Sequence, residues 1–593
     1  MALHVAGELT TSFPDGAWLC ELAPVGADAV ATALAGVLAV TQRQAATVTP
    51  ALVDYLRAKQ LLIVLDSCEH VAAAAAELAG ALLRGCPRVR VLATSREPLG
   101  ADGEHVLPVA PLETRDAVAL FVARATAASP SFGLTPANAV DVTEVCRRLD
   151  GLPLALELVA PKVRSLSARE IVTRLDRRMA FVRTAGRIRE QRHRTLRAVV
   201  DWSYQLLDAQ QRRVFDRLSV FAGSFTVAAA QRIAGGDLDT EEVAEIVGGL
   251  VDRSMLGAQT DDPPTRYTML DTLRHYGRER LKAAGWATST RLDHARYHVE
   301  LAEAAFIGLT GPDPGRWSRT IERHLDDLRA AHNWAIHHEP GLAMRLTAAL
   351  YWYVEAGSFL EVSLWAEQAA TAAPSHPLRP LVLGVAAWGA SKRGDLSGAV
   401  DLARRGLTAT GADDPLRRYP LFILGEALAR VDPQAAIVAI DAALATSRET
   451  RNRFVEAVAL VSAASLRGRH GDPLAALPLF GQVIDHWQRA GNWTQQWITL
   501  RNVIDLFARL GADEPAAILC GALGASRTAT PLFGADADEF ASTASALETR
   551  MGEREYRRCL ARGAAMTDDD AVILAATEIN RSTPPAMCAG SDQ

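Results

Sequence analysis

A parallel α/β sheet followed by an all-helical remainder is the fold class that this sequence predicts, and three observations carry the prediction. Short apolar runs at Ala17 to Val25, Leu61 to Asp66, Val89 to Ser95 and His105 to Ala110 alternate with alanine- and leucine-rich segments such as Val71 to Arg84. Strands separated by helices imply parallel pairing with both faces of the sheet covered. After Pro111 the strand signals stop, and Thr114 to Ala128 and Ala137 to Val163 read as helices of a small lid. Beyond about Arg291 the chain reads as helix pairs, with turns at Gly394-Asp395, Val431-Asp432, Gly471-Asp472 and Gly511-Ala512 recurring every 37 to 40 residues.

At each of those turns an alanine follows five places after the first residue: Ala399, Ala436, Ala476 and Ala516. A small residue at one fixed place lets paired helices approach closely, so the period predicts a tetratricopeptide-like helical solenoid. Between lid and solenoid the pattern is different. Helices around Leu196 to Leu207 and Gln210 to Phe221 precede Leu250 to Leu256, and a polar turn, Asp261-Asp262-Pro263-Pro264, leads into Arg266 to Leu270 and a helix from Asp271 to Ala283. Two short strands across a turn, packed on helices, make a winged helix. The expected boundaries are 1–112 for the α/β part, 113–185 for the lid, 190–290 for the winged helix, 291–580 for the solenoid and 581–593 for an unstructured tail.

Bulk properties narrow the function classes. With 593 residues the chain exceeds one hydrophobic core, and 49% hydrophobic residues exclude general disorder. A net charge of −6 and a pI near 6.2 argue against an overall electrostatic grip on nucleic acid. The seven cysteines are scattered, odd in number and never spaced Cys-x-x-Cys, so they frame neither disulfides nor a zinc site. No secretory pattern opens the chain at Met1 to Thr11, and no apolar run reaches the ~18 residues of a membrane span. A cytoplasmic protein is expected.

Chemistry is concentrated in a few places. Leu61-Leu62-Ile63-Val64-Leu65-Asp66 is a strand ending in a carboxylate, followed by Ser67-Cys68-Glu69-His70. Ligands of parallel sheets bind beyond the strand ends, so Asp66 stands where a magnesium ligand would, or simply where a strand meets a polar turn. The next strand ends in Ala93-Thr94-Ser95-Arg96-Glu97-Pro98-Leu99-Gly100, from which Arg96 could reach a γ-phosphate. Gly151-Leu152-Pro153-Leu154-Ala155-Leu156 stops one helix and restarts another at proline. His70, His105 and His193 have no second ligand at helical or hairpin spacing and read as structural residues. The arginine-rich stretch from Arg183 to Arg194 reads as a solvated linker, with contact to DNA phosphates as the alternative.

In this order, these motifs, together with Thr195-Leu196-Arg197-Ala198 and Asp201-Trp202-Ser203, resemble the STAND class of signal-transduction P-loop NTPases, specifically the bacterial AfsR- and LuxR-type regulators. The resemblance implies ATP or ADP with Mg²⁺ as cofactor. Asp66 would orient magnesium and water with Glu69 beside it, Arg96 would sense the phosphate, and Gly151 and Pro153 would lie at the adenine. It also implies a regulatory role in transcription, a protein partner received by the solenoid, self-association into a homo-oligomer, and indirect contact with DNA.

One departure is plain: the four lysines, Lys59, Lys162, Lys282 and Lys392, are followed by Gln60, Val163, Ala283 and Arg393, never by Ser or Thr, so no phosphate-binding loop occurs in the sequence. Met1 to Thr11 reads as the later part of the helix that would follow such a loop. The expectation is therefore an incomplete NTPase sheet, lacking the strand between Val89 to Ser95 and His105 to Ala110, and at most a residual ATPase. The alternative is a nucleotide-free protein-interaction scaffold.

Overall fold

The computed structural model describes residues 1–38, 40, 48–95, 97–179, 188–260, 263–355, 360–526, 528–529 and 534–583. The chain divides into two compact units. One comprises Met1–Glu104, Val299–Glu322 and His332–Gln593, the other His105–His298 and Arg323–Ala331. The sheet and the repeated helices thus fall in the first unit, the lid helices and the winged helix in the second.

In the first unit three parallel strands, β1 (Ala17–Glu21), β2 (Leu62–Asp66) and β3 (Arg90–Ala93), lie in the order β1-β2-β3. Glu21 pairs with Asp66, and Leu65 with Ala93. The central strand is buried from Leu62 to Leu65, as its continuous apolar run requires, and its alternation serves two layers. Ile63 and Leu65 join Leu34, Leu52, Leu78 and Leu82 on one face. Leu62 and Val64 meet Ala6, from the helix Ala2–Leu9, and Phe13 on the other.

The fourth expected strand is not formed: residues 105–110 have no strand structure, and Val106, Leu107 and Val109 are exposed at 58%, 84% and 64%. Pro108 interrupts this run and cannot donate a ladder hydrogen bond, and Pro111 follows it. Among the described residues β3 pairs on one side only, so the expected gap between two strands is instead one open edge.

The second unit has one continuous core that runs from Phe121, Val145 and Leu156 through Trp202, Phe215 and Phe225 to Met255 and Tyr276. Lid helices Thr114–Ala128, Ala139–Arg148 and Pro153–Val159 share it with the winged helix. There the helices Ala209–Leu218 and Thr240–Asp252 each start in a capping box, Asp208 with Gln211 and Asp239 with Glu242. The antiparallel hairpin of β4 (Gly257–Gln259) and β5 (Arg266–Thr268) follows, and then the helix Asp271–Ala283. The second half of the arginine-rich stretch opens the helix Ile188–Gln205, while 183–187 lie outside the described residues.

The repeats follow the turn chemistry. Helix pairs Arg379–Lys392 with Leu396–Thr408, Arg418–Leu428 with Pro433–Glu449, Arg453–His470 with Pro473–Ala490, and Trp493–Leu510 with Asp513–Ala525 succeed one another. Asp395, Asp432 and Asp472 cap the second helix of the first three pairs, their carboxylates accepting from Gly398 N at 2.8 Å, Ala435 N at 3.0 Å and Leu474 N at 2.9 Å. Ala399, Ala436, Ala476 and Ala516 are all fully buried. Helices Asp513–Ala525 and Glu553–Ala564 come closer still, since a Cβ on Gly563 would run into the Ile518 carbonyl. The expected tail lies outside the described residues beyond 583.

Candidate functional site

Asp66 ends the central strand with its carboxylate half-buried beyond the sheet's carboxyl edge. Thr94, at the end of the neighbouring strand, donates its hydroxyl to Asp66 Oδ1 at 2.6 Å and accepts from the Ser67 amide at 2.9 Å. Ser67 Oγ lies 3.4 Å from Asp66 Oδ2. The turn is held in a strained form: Ser67 has φ 61°, a left-handed conformation that non-glycine residues seldom adopt and that concentrates at functional sites. Cys68 N then bonds to Thr94 O at 2.9 Å, and His70 Nε2 lies 3.0 Å from the Val25 carbonyl.

This network fixes one carboxylate against a hydroxyl at the place where a parallel sheet presents its ligand end. Cys68 is not a nucleophile here, because burial, with Asp66 and Glu69 adding to it, pushes its thiol up to about 11. Glu69 is half-buried in the same short helical turn. Arg96 lies outside the described residues.

Gly151 and Pro153 belong to the second unit, whereas Asp66 and Glu69 belong to the first. Gly151 has φ 62°, and a Cβ there would run into the Leu112 carbonyl, so the position requires glycine twice over. Its carbonyl accepts from Leu112 N at 3.0 Å, and the preceding Asp150 accepts from the Thr195 hydroxyl at 2.9 Å. The turn therefore joins the entry to the lid with the first helix of the winged-helix region. Pro153 is exposed at the first turn of Pro153–Val159.

In the winged helix, the helix preceding the hairpin is the one such domains offer to the major groove. Here that helix, Thr240–Asp252, carries Glu241, Glu242, Glu245 and Asp252 and no lysine or arginine. Glu241, Glu242 and Glu245 are exposed. In the sequence, Asp261 and Asp262 stand between the two strands.

Sequence reasoning missed a second polar cluster, also in this unit. His294 and His298 stand four residues apart on the helix Ala287–Leu309, and Asp327 on Leu325–His338 meets His294 at 3.0 Å. The i, i+4 histidine spacing was the available signal; its carboxylate partner is remote in sequence.

Comparison with known proteins agrees with the winged helix. Residues 207–282 match the winged helix-turn-helix domain family. A putative HTH-type transcriptional regulator of Mycobacterium tuberculosis is 37% identical over 340 residues, 56% of this chain and 38% of that protein. The chain thus spans less than two-fifths of that relative. An uncharacterized protein of the same organism is 35% identical over 307 residues, 51% of this chain and 77% of that protein. The regulatory protein AfsR of Streptomyces griseus is 28% identical over 296 residues, 47% of this chain and 28% of that protein. Among solved structures, a Signal Transduction ATPase with Numerous Domains (STAND) protein with a tetratricopeptide repeat sensor, from Pyrococcus horikoshii, is similar at a TM-score of 0.32 and 12% identity, covering 90% of this chain and 85% of that one. With the uncharacterized mycobacterial relative matched at 35% identity over 77% of its own length, the chain belongs to the family of that protein.

Proposed function

We propose that this protein is a cytoplasmic component of transcriptional control that acts through protein contacts: the tetratricopeptide-like repeats receive a signal, and the winged helix serves as an internal arm rather than as a DNA reader. The observation that carries this reading is the exposed acidic face of Thr240–Asp252. Affinity for DNA comes largely from neutralised phosphates, and a helix with four carboxylates and no cation opposes that term. The names of the relatives support the regulatory role, and the capped, alanine-packed helix pairs support the repeats as a binding surface.

The Asp66 end of the sheet supports a site descended from nucleotide binding. Asp66 and Thr94 fit the outer part of a magnesium site, where a carboxylate holds the ion's water shell. A glycine-rich backbone cradle and its lysine are the remaining requirements, and the sequence holds no such motif. Mg-ATP is therefore expected to bind weakly to this chain.

Fluorescence anisotropy with a mixed-sequence DNA duplex at low salt tests the indirect role. The expected dissociation constant is weaker than about 10 µM, outside the strong low-salt binding of basic readers. Submicromolar binding that weakened on Arg253→Ala or on blocking Thr240–Asp252 would make the winged helix a direct reader.

A further inference from the structure

The geometry points to an unassigned metal site in the second unit, in which His294, His298 and Asp327 bind one first-row divalent cation of the zinc type. The three residues are buried, and each offers a ligand atom within 4.8 Å of the others. One helix turn places both histidines on the same face of Ala287–Leu309, with ring centroids 4.3 Å apart. Asp327 approaches from the first turn of Leu325–His338.

The second observation is the unsatisfied nitrogen. His298 Nδ1 lies 2.9 Å from the His294 carbonyl and so carries the ring proton. That leaves Nε2 as a bare lone pair, and among the described residues it has no hydrogen-bond partner although His298 is 0% exposed. A neutral imidazole, with one nitrogen donating to a backbone carbonyl and the other unprotonated, is the form in which histidine binds a metal. Burial keeps the ring neutral, pushing its pKa down to about 3. His324, whose ring centroid lies 5.7 Å from that of His298 and whose Nδ1 has no partner among the described residues, is a candidate for a fourth ligand.

Donor chemistry selects the ion. Two imidazoles and one carboxylate suit Zn²⁺, Co²⁺ or Ni²⁺, whereas Mg²⁺ and Ca²⁺ want oxygen throughout. Zinc ligand atoms stand roughly 3.3–3.5 Å apart at bond lengths near 2.1 Å, so closing the cluster needs only small side-chain movements. Asp327 is oriented by the backbone, accepting from Ala222 N at 2.7 Å and Gly223 N at 3.3 Å. Arg266 and Arg278 also act on its field, which disfavours a cation held by charge alone and leaves the work to the nitrogen donors. Through Asp327 a bound ion would tie the turn after Ala209–Leu218 to the two helices that supply the ligands.

The whole chain of 593 residues, stripped with a chelator, is titrated with Co²⁺ as a visible-absorption probe and then with Zn²⁺. One equivalent of Co²⁺ should bind with d–d bands that Zn²⁺ abolishes, and Zn²⁺ should raise the melting temperature. His298→Gln and Asp327→Asn should each weaken binding at least about tenfold, the scale on which even outer-shell changes act. X-ray absorption at the zinc edge of the wild-type protein provides a readout independent of how the variants fold: imidazole nitrogens with an oxygen are expected. The absence of the Co²⁺ bands and of a Zn²⁺-dependent melting shift overturns the proposal. So does binding undiminished in both variants, or a zinc shell of sulfur or of oxygen alone.

Discussion

Asp66 and Asp327 show two ways in which one chain sets a carboxylate. Asp66 ends a strand, is half-buried and takes its main hydrogen bond from a neighbouring hydroxyl, Thr94, at 2.6 Å. Asp327 is 1% exposed and accepts from two backbone amides and from His294. Burial would raise its carboxyl, but the His294 hydrogen bond, with the neighbouring imidazoles and the Ala222 amide, holds it well below the ordinary carboxylate range. A half-exposed carboxylate can exchange partners with water at little cost. A buried one cannot, because losing a partner leaves desolvated groups unmatched. The sheet end is therefore the adaptable region, and the junction in the second unit is the rigidly fixed one.

The sharpest way to break this contrast is deletion. Asp327→Ala should destabilise the second unit by about 3–5 kcal/mol, the scale for removing one partner of a buried charged network. Hydrogen exchange at the Ala222 and Gly223 amides reads the effect locally, as a loss of protection. If Asp327→Ala cost no more than Asp66→Ala, the distinction would collapse.

Acid should act next, and on the same unit. Burial pushes His298 down to about 3 and His324 down to about 4. Between those values and the ordinary histidine value near 6.5 the unfolded chain binds more protons, so stability falls as pH is lowered through this window. By pH 5 each histidine contributes a loss of about 2 kcal/mol. Asp216, pushed up to about 6 by burial despite its bond from the Tyr204 hydroxyl at 2.8 Å, works in the opposite direction and returns about 1 kcal/mol at pH 5. The net loss is about 2–3 kcal/mol between pH 7 and pH 5, measurable by urea denaturation followed by tryptophan fluorescence. An unchanged midpoint would mean that these rings are not buried neutral in solution.

The smallest effect belongs to the sheet end. Thr94→Val removes the hydroxyl between Asp66 and the Ser67 amide and should cost about 1–2 kcal/mol, less than the buried deletion, because water can reach the half-exposed carboxylate. A loss above about 4 kcal/mol would show that the strand end is no more adaptable than the buried cluster.

What the sequence disclosed follows the same division. Asp66, the buried run before it, the repeat turns with their aspartate caps and the packing alanines are local patterns, each read within a few residues. His105 to Ala110 misled because its apolar content suggested a strand while Pro108 removed a donor from its middle. The His294–His298–Asp327 cluster escaped because its ligands join only through packing: Asp327 stands 33 residues from His294 and takes its amides from Ala222 and Gly223. The lid and the winged helix likewise share a core that no local pattern announces.

The central proposal is that this chain has no tight nucleotide grip of its own, and isothermal titration of Mg-ATP into the chain tests it most directly. The account predicts no binding tighter than about 100 µM, since the phosphates lack both a backbone cradle and a lysine. Low-micromolar affinity that Asp66→Asn abolished would contradict it and make the protein an ATP-dependent switch.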